Sequence, residues 1–318
     1  MRNCIAVCVG LVACSGPVKE TGTAPPATTT TTETDTDTAE PIEIVWESVG
    51  MQTSDTFNAV YSGAADAYVV GSDGAGWVVA PGGQAEAIRT DTEEDLYGLW
   101  GNGDGANVQL VAVGTSGAVT QTGPKAPSVD DLGTANFYDV DGSPEDLTAV
   151  GWGGVFRRTN EAWRFESTPA GLQLNSVWVE PGGDTAVAVG LEGAIAERVN
   201  DVWSLVASPT TVDLYGVAGR NRNELWVVGE DGVLLSWDGT EWHTLDLDTS
   251  NTLWAVWQAA SGEVFAVGNN GYAARFDGSG VFRQVHTGVD ANLYAVHGAT
   301  ADTVWAVGSS GEVLRYVP

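Results

Sequence analysis

From residue 42 onward, apolar residues come in short runs cut by glycines. One unit recurs: an apolar run, a glycine, two variable residues, a second glycine and another apolar run. The glycine pairs are Gly71/Gly74, Gly114/Gly117, Gly151/Gly154, Gly190/Gly193, Gly229/Gly232, Gly268/Gly271 and Gly308/Gly311, spaced by 43, 37, 39, 39, 39 and 40 residues. About fifteen residues before each pair stands a second motif. Its copies are FNAV from Phe57, LYGL from Leu96, FYDV from Phe137, LNSV from Leu174, LYGV from Leu214, LWAV from Leu253 and LYAV from Leu293. Runs this short, bounded by turn residues, read as strands and not helices. A period near 40 with four strands per repeat predicts an all-β chain, a seven-bladed β-propeller of four-stranded antiparallel blades.

The fifth repeat displays the unit: LYGVAG as strand A, ELWVVG as B, VLLSW as C and EWHTLDL as D. Stacked blades bury both faces of each sheet, which explains nearly continuous apolar runs where one-sided burial would give alternation. Strand A converges on the axis, where space is short. The third residue of its motif is accordingly small in six copies: Ala59, Gly98, Ser176, Gly216, Ala255 and Ala295. Asp139 is the exception and a candidate for lining the channel. The G-x-x-G segments are expected to be B–C hairpins whose glycines supply positive φ. The last repeat ends on a strand C, Val313–Tyr316, with no strand D after it. Strand D elsewhere carries an early aromatic: Trp163, Trp203, Trp242 and Phe282. Ile44–Ser48, with Trp46, has no blade of its own and is expected to complete the seventh. Joining the termini removes the open edges of a linear array. The propeller then spans 42–318.

All three cysteines, Cys4, Cys8 and Cys14, lie in the first fourteen residues. Arg2 precedes an apolar run, Ile5–Ala13, too short for a bilayer span of ~20 residues and shaped like a secretory signal. Leu11-Val12-Ala13-Cys14 resembles the lipobox of bacterial lipoproteins. That resemblance implies a signal peptide over 1–13, acylation of Cys14 and a lipid-anchored protein of the bacterial cell envelope, at the outer membrane or cell surface. One lipidated cysteine would leave no disulfide. Residues 21–40 hold ten threonines and no apolar period, so 14–41 reads as an acidic, extended tether.

Val227–Trp242, VVGEDGVLLSWDGTEW, resembles repeats of the photosystem II assembly-factor type and of the sialidase-like BNR propellers, and the likeness extends over 42–318. Ser236-Trp237-Asp238-Gly239-Thr240-Glu241-Trp242 is similar to the Asp box of BNR repeats but one residue shorter; Phe276-Asp277-Gly278 with Phe282 is a looser version. The resemblance implies that Asp238 and Asp277 pack turns. A sialidase-like catalytic site would imply clustered arginines gripping a carboxylate, and the assembly-factor type a basic patch. Here the arginines fall mainly on strands C and D, at positions such as Arg157, Arg158, Arg198 and Arg275.

The net charge of -29 removes further classes. A nucleic-acid binder needs a basic stripe, and adhesion to anionic lipid needs a polybasic one. The propeller itself holds 37 acids and 11 bases. Many acids fall in D–A connections and B–C turns, on one expected face: Asp55, Asp73, Asp91, Glu93, Glu94, Asp95, Asp130, Asp131, Glu192, Asp213, Glu230, Asp231, Asp246, Asp248 and Asp290. Trp152 lies between two turn glycines where other repeats place mostly polar residues. It is the aromatic anchor candidate, with Asp73, Glu192, Glu230 and Asp231 as partner-binding candidates. No Ser-His-Asp or Cys-His arrangement appears, and His243, His286 and His297 have no metal spacing. Gly101–Asn107 has a calcium-like composition, though an A–B hairpin selects the same residues. The leading expectation is a monomeric, non-enzymatic scaffold for a protein partner with a basic surface. Alternatives are a glycan-binding protein or glycoside hydrolase, which needs only two carboxylates, and an envelope assembly factor.

Overall fold

A computed structural model describes residues 45–122, 128–169, 171–278 and 281–318. The expected signal at 1–13, the expected acylation at Cys14 and the expected tether at 14–41 lie outside these residues. The strands form seven four-stranded antiparallel sheets, six of them in simple chain order. Strand A of each blade is Phe57–Ser62, Leu96–Asn102, Asn136–Ser143, Leu174–Val179, Leu214–Asn221, Leu253–Gln258 and Leu293–Thr300, respectively. Together they enclose an axial cavity of about 650 Å³. Strand B is buried along nearly its whole length, and the apolar clusters lie between successive blades.

The ring closes as its unpaired C-terminal strand demands. Val45–Ser48 lies against Val313–Val317, pairing Trp46 with Tyr316 and Glu47 with Arg315. Trp46 is 5% exposed and packs edge-on against Phe265 of the sixth blade and Tyr316 of the seventh.

The second glycine of each pair has the expected positive φ, whereas the first has a different cause. In six blades the first glycine is extended, with φ between -164° and -168°, which any residue adopts. What excludes a side chain is close approach: a Cβ on Gly71 or Gly190 would collide with the backbone carbonyl just before strand A, of Thr56 or Gln173. Positive φ falls on the second variable residue, including Asp73 (53°), Glu192 (56°) and Asp231 (54°), and on the second glycine. The third blade departs from this. Gly151 pairs directly with Gly154, which leaves Trp152-Gly153 as a two-residue turn.

Position matters within strand A, counted from the first motif residue. Position one is buried in every blade. Position three is where neighbouring inner strands come closest: a Cβ on Gly98 would lie 2.7 Å from the Asp139 Cα. Position five reaches toward position six of the next blade. Tyr61 lies over Gly101 and Trp257 over Gly298, while Trp100 Nε1 donates to the Gly142 carbonyl (3.0 Å) and Trp178 Nε1 to that of Gly219 (2.8 Å). Where position six is not glycine, position five is not a large aromatic flat over it. Asp141 accepts from the Val179 N–H (2.7 Å), His297 Nδ1 accepts from the Ser62 N–H (3.0 Å), and Ala218 precedes a blade with Gln258.

The arginines of strands C and D tie blades together. Arg198 is fully buried and donates to Thr148 Oγ1 (2.9 Å), Glu166 Oε2 (3.3 Å) and the Gly183 carbonyl (3.0 Å), which bridges the third and fourth blades. Arg157 joins Asp146 of its own blade to Asp201 of the next.

Candidate functional site: the mouth of the axial cavity

In all seven sheets the A–B register slips between the first and third motif residues. The second residue is therefore the extra residue of a β-bulge. A bulge re-aims a side chain out of the pleat. Here it directs Asn58, Tyr97, Tyr138, Asn175, Tyr215, Trp254 and Tyr294 onto the cavity wall at the end of strand A that adjoins the B–C turns. Five of the seven are aromatic, and they form two arcs. Tyr97 and Tyr138 have ring centroids 5.5 Å apart, and Trp152 stands edge-on to Tyr138 at 6.0 Å. Tyr215 and Trp254 are 4.5 Å apart, and Trp254 and Tyr294 5.9 Å. The asparagines separate the arcs and lock onto the next blade: Asn58 Nδ2 donates to the Leu96 carbonyl (3.0 Å) and Asn175 Nδ2 to that of Leu214 (2.8 Å).

Carboxylates surround this crown. Burial first, and then the charges of Asp213 and Glu230, push the Tyr215 hydroxyl up to about 12. The Tyr97 hydroxyl donates to Asp95 (3.4 Å) and Trp254 Nε1 to Asn269 (2.7 Å). Some of these acids also have a structural task. Asp95 accepts the backbone N–H of Asp73 (2.9 Å) and Asp213 that of Glu192 (2.8 Å), so each holds the turn of the preceding blade. The candidates Asp73, Glu192, Glu230 and Asp231 are exposed on these turns. Trp152 is half-buried against Tyr138 of its own blade and extends the first arc.

Below the crown the wall carries Asp139 and Asp141, the only formally charged residues lining the cavity among those described. Asp139 Oδ2 accepts from Ser176 Oγ (2.6 Å) and the Val177 N–H (3.0 Å), and Oδ1 from the Val140 N–H (2.8 Å). Burial raises the Asp139 carboxyl despite these donors. Burial also pushes Asp141 up to about 7, the Asp139 charge adding to it against the N–H groups of Val179 and Gly142. At the same level, burial drives His297 down to about 4.

These two groups have opposite linkage. An unfolded aspartate titrates near 3.9, so between about pH 4 and 7 the native state holds the extra proton on Asp141 and stability falls as pH rises. Unfolded histidine titrates near 6.5, so between about pH 4 and 6.5 the native state holds fewer protons at His297 and stability climbs with pH. The Asp141→Asn variant separates them. It is expected to melt several degrees above the parent at pH 8 and close to it at pH 4, in paired thermal melts. Equal melting temperatures at pH 8 would show that Asp141 is ionised without cost.

Elsewhere the structure finds uses for the other candidates. Asp238 takes up the C–D turn of the fifth blade, accepting from the Thr240 N–H (2.8 Å), Thr240 Oγ1 (2.6 Å) and the Glu241 N–H (2.9 Å), and it pairs with His243 Nε2 at 2.9 Å. Asp238, Glu241 and His243 could converge on an ion, but all three are exposed. In the Gly101–Asn107 hairpin the Asp104 oxygens accept from the Gly105 N–H (2.8 Å), the Tyr68 hydroxyl (3.3 Å) and the Ala65 N–H (3.3 Å), so that carboxylate ties its turn to the first blade. The crown was the feature that sequence reading missed. Its signal is the second column of the strand A motif, which reads Asn, Tyr, Tyr, Asn, Tyr, Trp, Tyr.

No family model matches the chain, and no curated protein matches it in sequence. Solved structures do match its fold. YCF48 from Cyanidioschyzon merolae superposes with a TM-score of 0.70 at 16% identity, over 86% of this chain and 98% of its own. YCF48 bound to D1 peptide gives 0.69 at 18% identity, over 86% and 97%. A catalytically inactive virginiamycin B lyase from Staphylococcus aureus with quinupristin gives 0.76 at 12% identity, over 87% and 100%. At these identities the likeness is one of fold.

Proposed function

We propose that the domain is a non-enzymatic, lipid-anchored module of the bacterial envelope that binds a basic protein partner at the crowned mouth of its axial cavity. The observation that carries this reading is the aromatic crown itself: five of the seven bulges aim aromatic rings over a cavity whose only charged lining residues, among those described, are two aspartates. Aromatic side chains at a concave, half-desolvated site are the residues that anchor partners. The acids around them select by charge and speed encounter. YCF48 offers a precedent of the same fold, since it is seen with a D1 peptide. Cys14 would provide the anchor, and 14–41 the spacer, of an assembly factor or scaffold held at the envelope.

The test is a pull-down from native envelope extract with the full chain in neutral detergent, repeated with a Tyr215→Ala/Trp254→Ala double variant. Capture should fall at least about tenfold between low and high salt, because rim charges act through a screened field. The double variant should lose capture at both salts while keeping the parent's melting temperature. Capture that persists in both conditions would remove the mouth as the binding site.

A further inference from the structure

We infer that the crown admits a single cationic side chain, an arginine or lysine on an extended segment of another protein, whose charged end meets Asp139 inside the cavity. The inference rests on the preceding reading of the mouth and gives it a chemistry. Three independent features converge on it.

The first is the exceptional place of Asp139. Position three of strand A is Ala, Gly or Ser in the other six blades, because neighbouring inner strands nearly touch there. The fold asks for nothing larger, yet this blade carries a carboxylate one residue below the crown residue Tyr138. Its two oxygens accept three hydrogen bonds from Ser176, Val177 and Val140. A carboxylate has about four acceptor sites, so a further donor can be received there. Those same donors fix the side chain in place.

The second is the order of groups along the entry path. A cation arriving from solvent passes the acidic turns, then the two aromatic arcs, then Asp139. Aromatic faces attract a cation, and more strongly as it loses water. No lysine or arginine lines the cavity among the described residues, so nothing opposes entry.

The third concerns the occupant. A segment of this chain or a second copy would be the simplest guest. The propeller has 37 acids to 11 bases, and the segment 14–41 has five acids to one lysine. Both guests would bring net negative charge to an acidic mouth, so the charge favours a foreign, basic segment.

The probes are two nine-residue Gly/Ser peptides, one with a central arginine and one with citrulline, its neutral isostere. Binding to the full chain in neutral detergent is followed by calorimetry and tryptophan fluorescence. The arginine peptide should bind at least about tenfold tighter than the citrulline peptide, the scale of a desolvated cation–π contact joined to an ion pair. Trp254→Leu should erase most of that preference, and so should Asp139→Asn, which preserves an acceptor for the Val177 N–H. Thermal melts certify that each variant is folded, and the peptide comparison on the parent needs no variant. Equal binding of the two peptides overturns the inference. If Trp254→Leu then weakens both, the mouth still stands as a docking site. Failure of both peptides to bind at ~1 mM, or tighter binding of a neutral oligosaccharide such as cellohexaose, also overturns it. The pull-down decides the preceding reading separately.

Discussion

Replacing Gly190 by alanine is expected to destabilise the propeller by about 3 kcal/mol or more and to lower its melting temperature by roughly 6–12 °C. The backbone dihedrals are not the obstacle, since φ is -168° there. The obstacle is the Gln173 carbonyl, which occupies the space a Cβ would need, with the Leu174 Cα 2.9 Å from the same point. That carbonyl cannot step aside cheaply. It accepts the Leu191 N–H at 3.0 Å, while the Gly190 N–H donates to the Ala194 carbonyl at 3.0 Å. The substitution therefore forces a choice between a clash and two broken backbone hydrogen bonds at a buried glycine. Gly50 is the contrast, because an added Cβ meets nothing within 4 Å. Gly50→Ala should change stability by less than about 0.5 kcal/mol. Similar melting of the two variants would defeat the close-approach account of the glycine pairs.

Trp46→Ala should cost about 3–5 kcal/mol, the range for truncating a buried tryptophan. Its ring fills the space between Phe265 and Tyr316. Trp46 also holds the only strand that closes the seventh blade from the opposite end of the chain. Weakening it frees the edge of Val313–Val317, and unpaired edges recruit other chains. Loss of stability should therefore come with concentration-dependent association, seen by light scattering below the melting transition. Trp46→Phe keeps most of the apolar contact and should melt within a few degrees of the parent without associating. A Trp46→Ala protein that melts like the parent and stays dispersed would mean that the sixth and seventh blades hold together without this strand.

The blade count, the strand assignment and the closing strand could all be read from the repeats, because a recurring glycine pair and a recurring apolar column mark the turn and the buried strands of each blade. Positive φ at the second glycine could be read too, but the cause of the first could not, because Thr56 and Gln173 collide with Gly71 and Gly190 only after the hairpin has folded back on strand A. The acidic face was legible as composition. The work that Asp95 and Asp213 do there, holding a turn of the preceding blade, depends on a partner some twenty residues away. The crown escaped notice for a subtler reason. Simple alternation assigns the second motif residue a fixed face of the strand, and only the bulge turns it into the cavity. Asp139 was visible as an exception to a column of small residues, and the structure supplies the three donors that explain how a carboxylate is held there.

The pairing of positions five and six reaches beyond stability. Seven similar blades on one chain could in principle stack out of order, with a blade pairing to its second neighbour or to a blade of another molecule. Tyr61, Trp100, Trp178 and Trp257 each lie against a glycine of the following blade, whereas Val179, Gln258 and Ser62 face Asp141, Ala218 and His297. Moved one blade along, Trp100 would confront Val179 and His297 would confront Gly101. The inner strands thus carry an address that penalises a misordered ring, a device against domain-swapped and mis-stacked products that a seven-fold repeat of one consensus blade would lack.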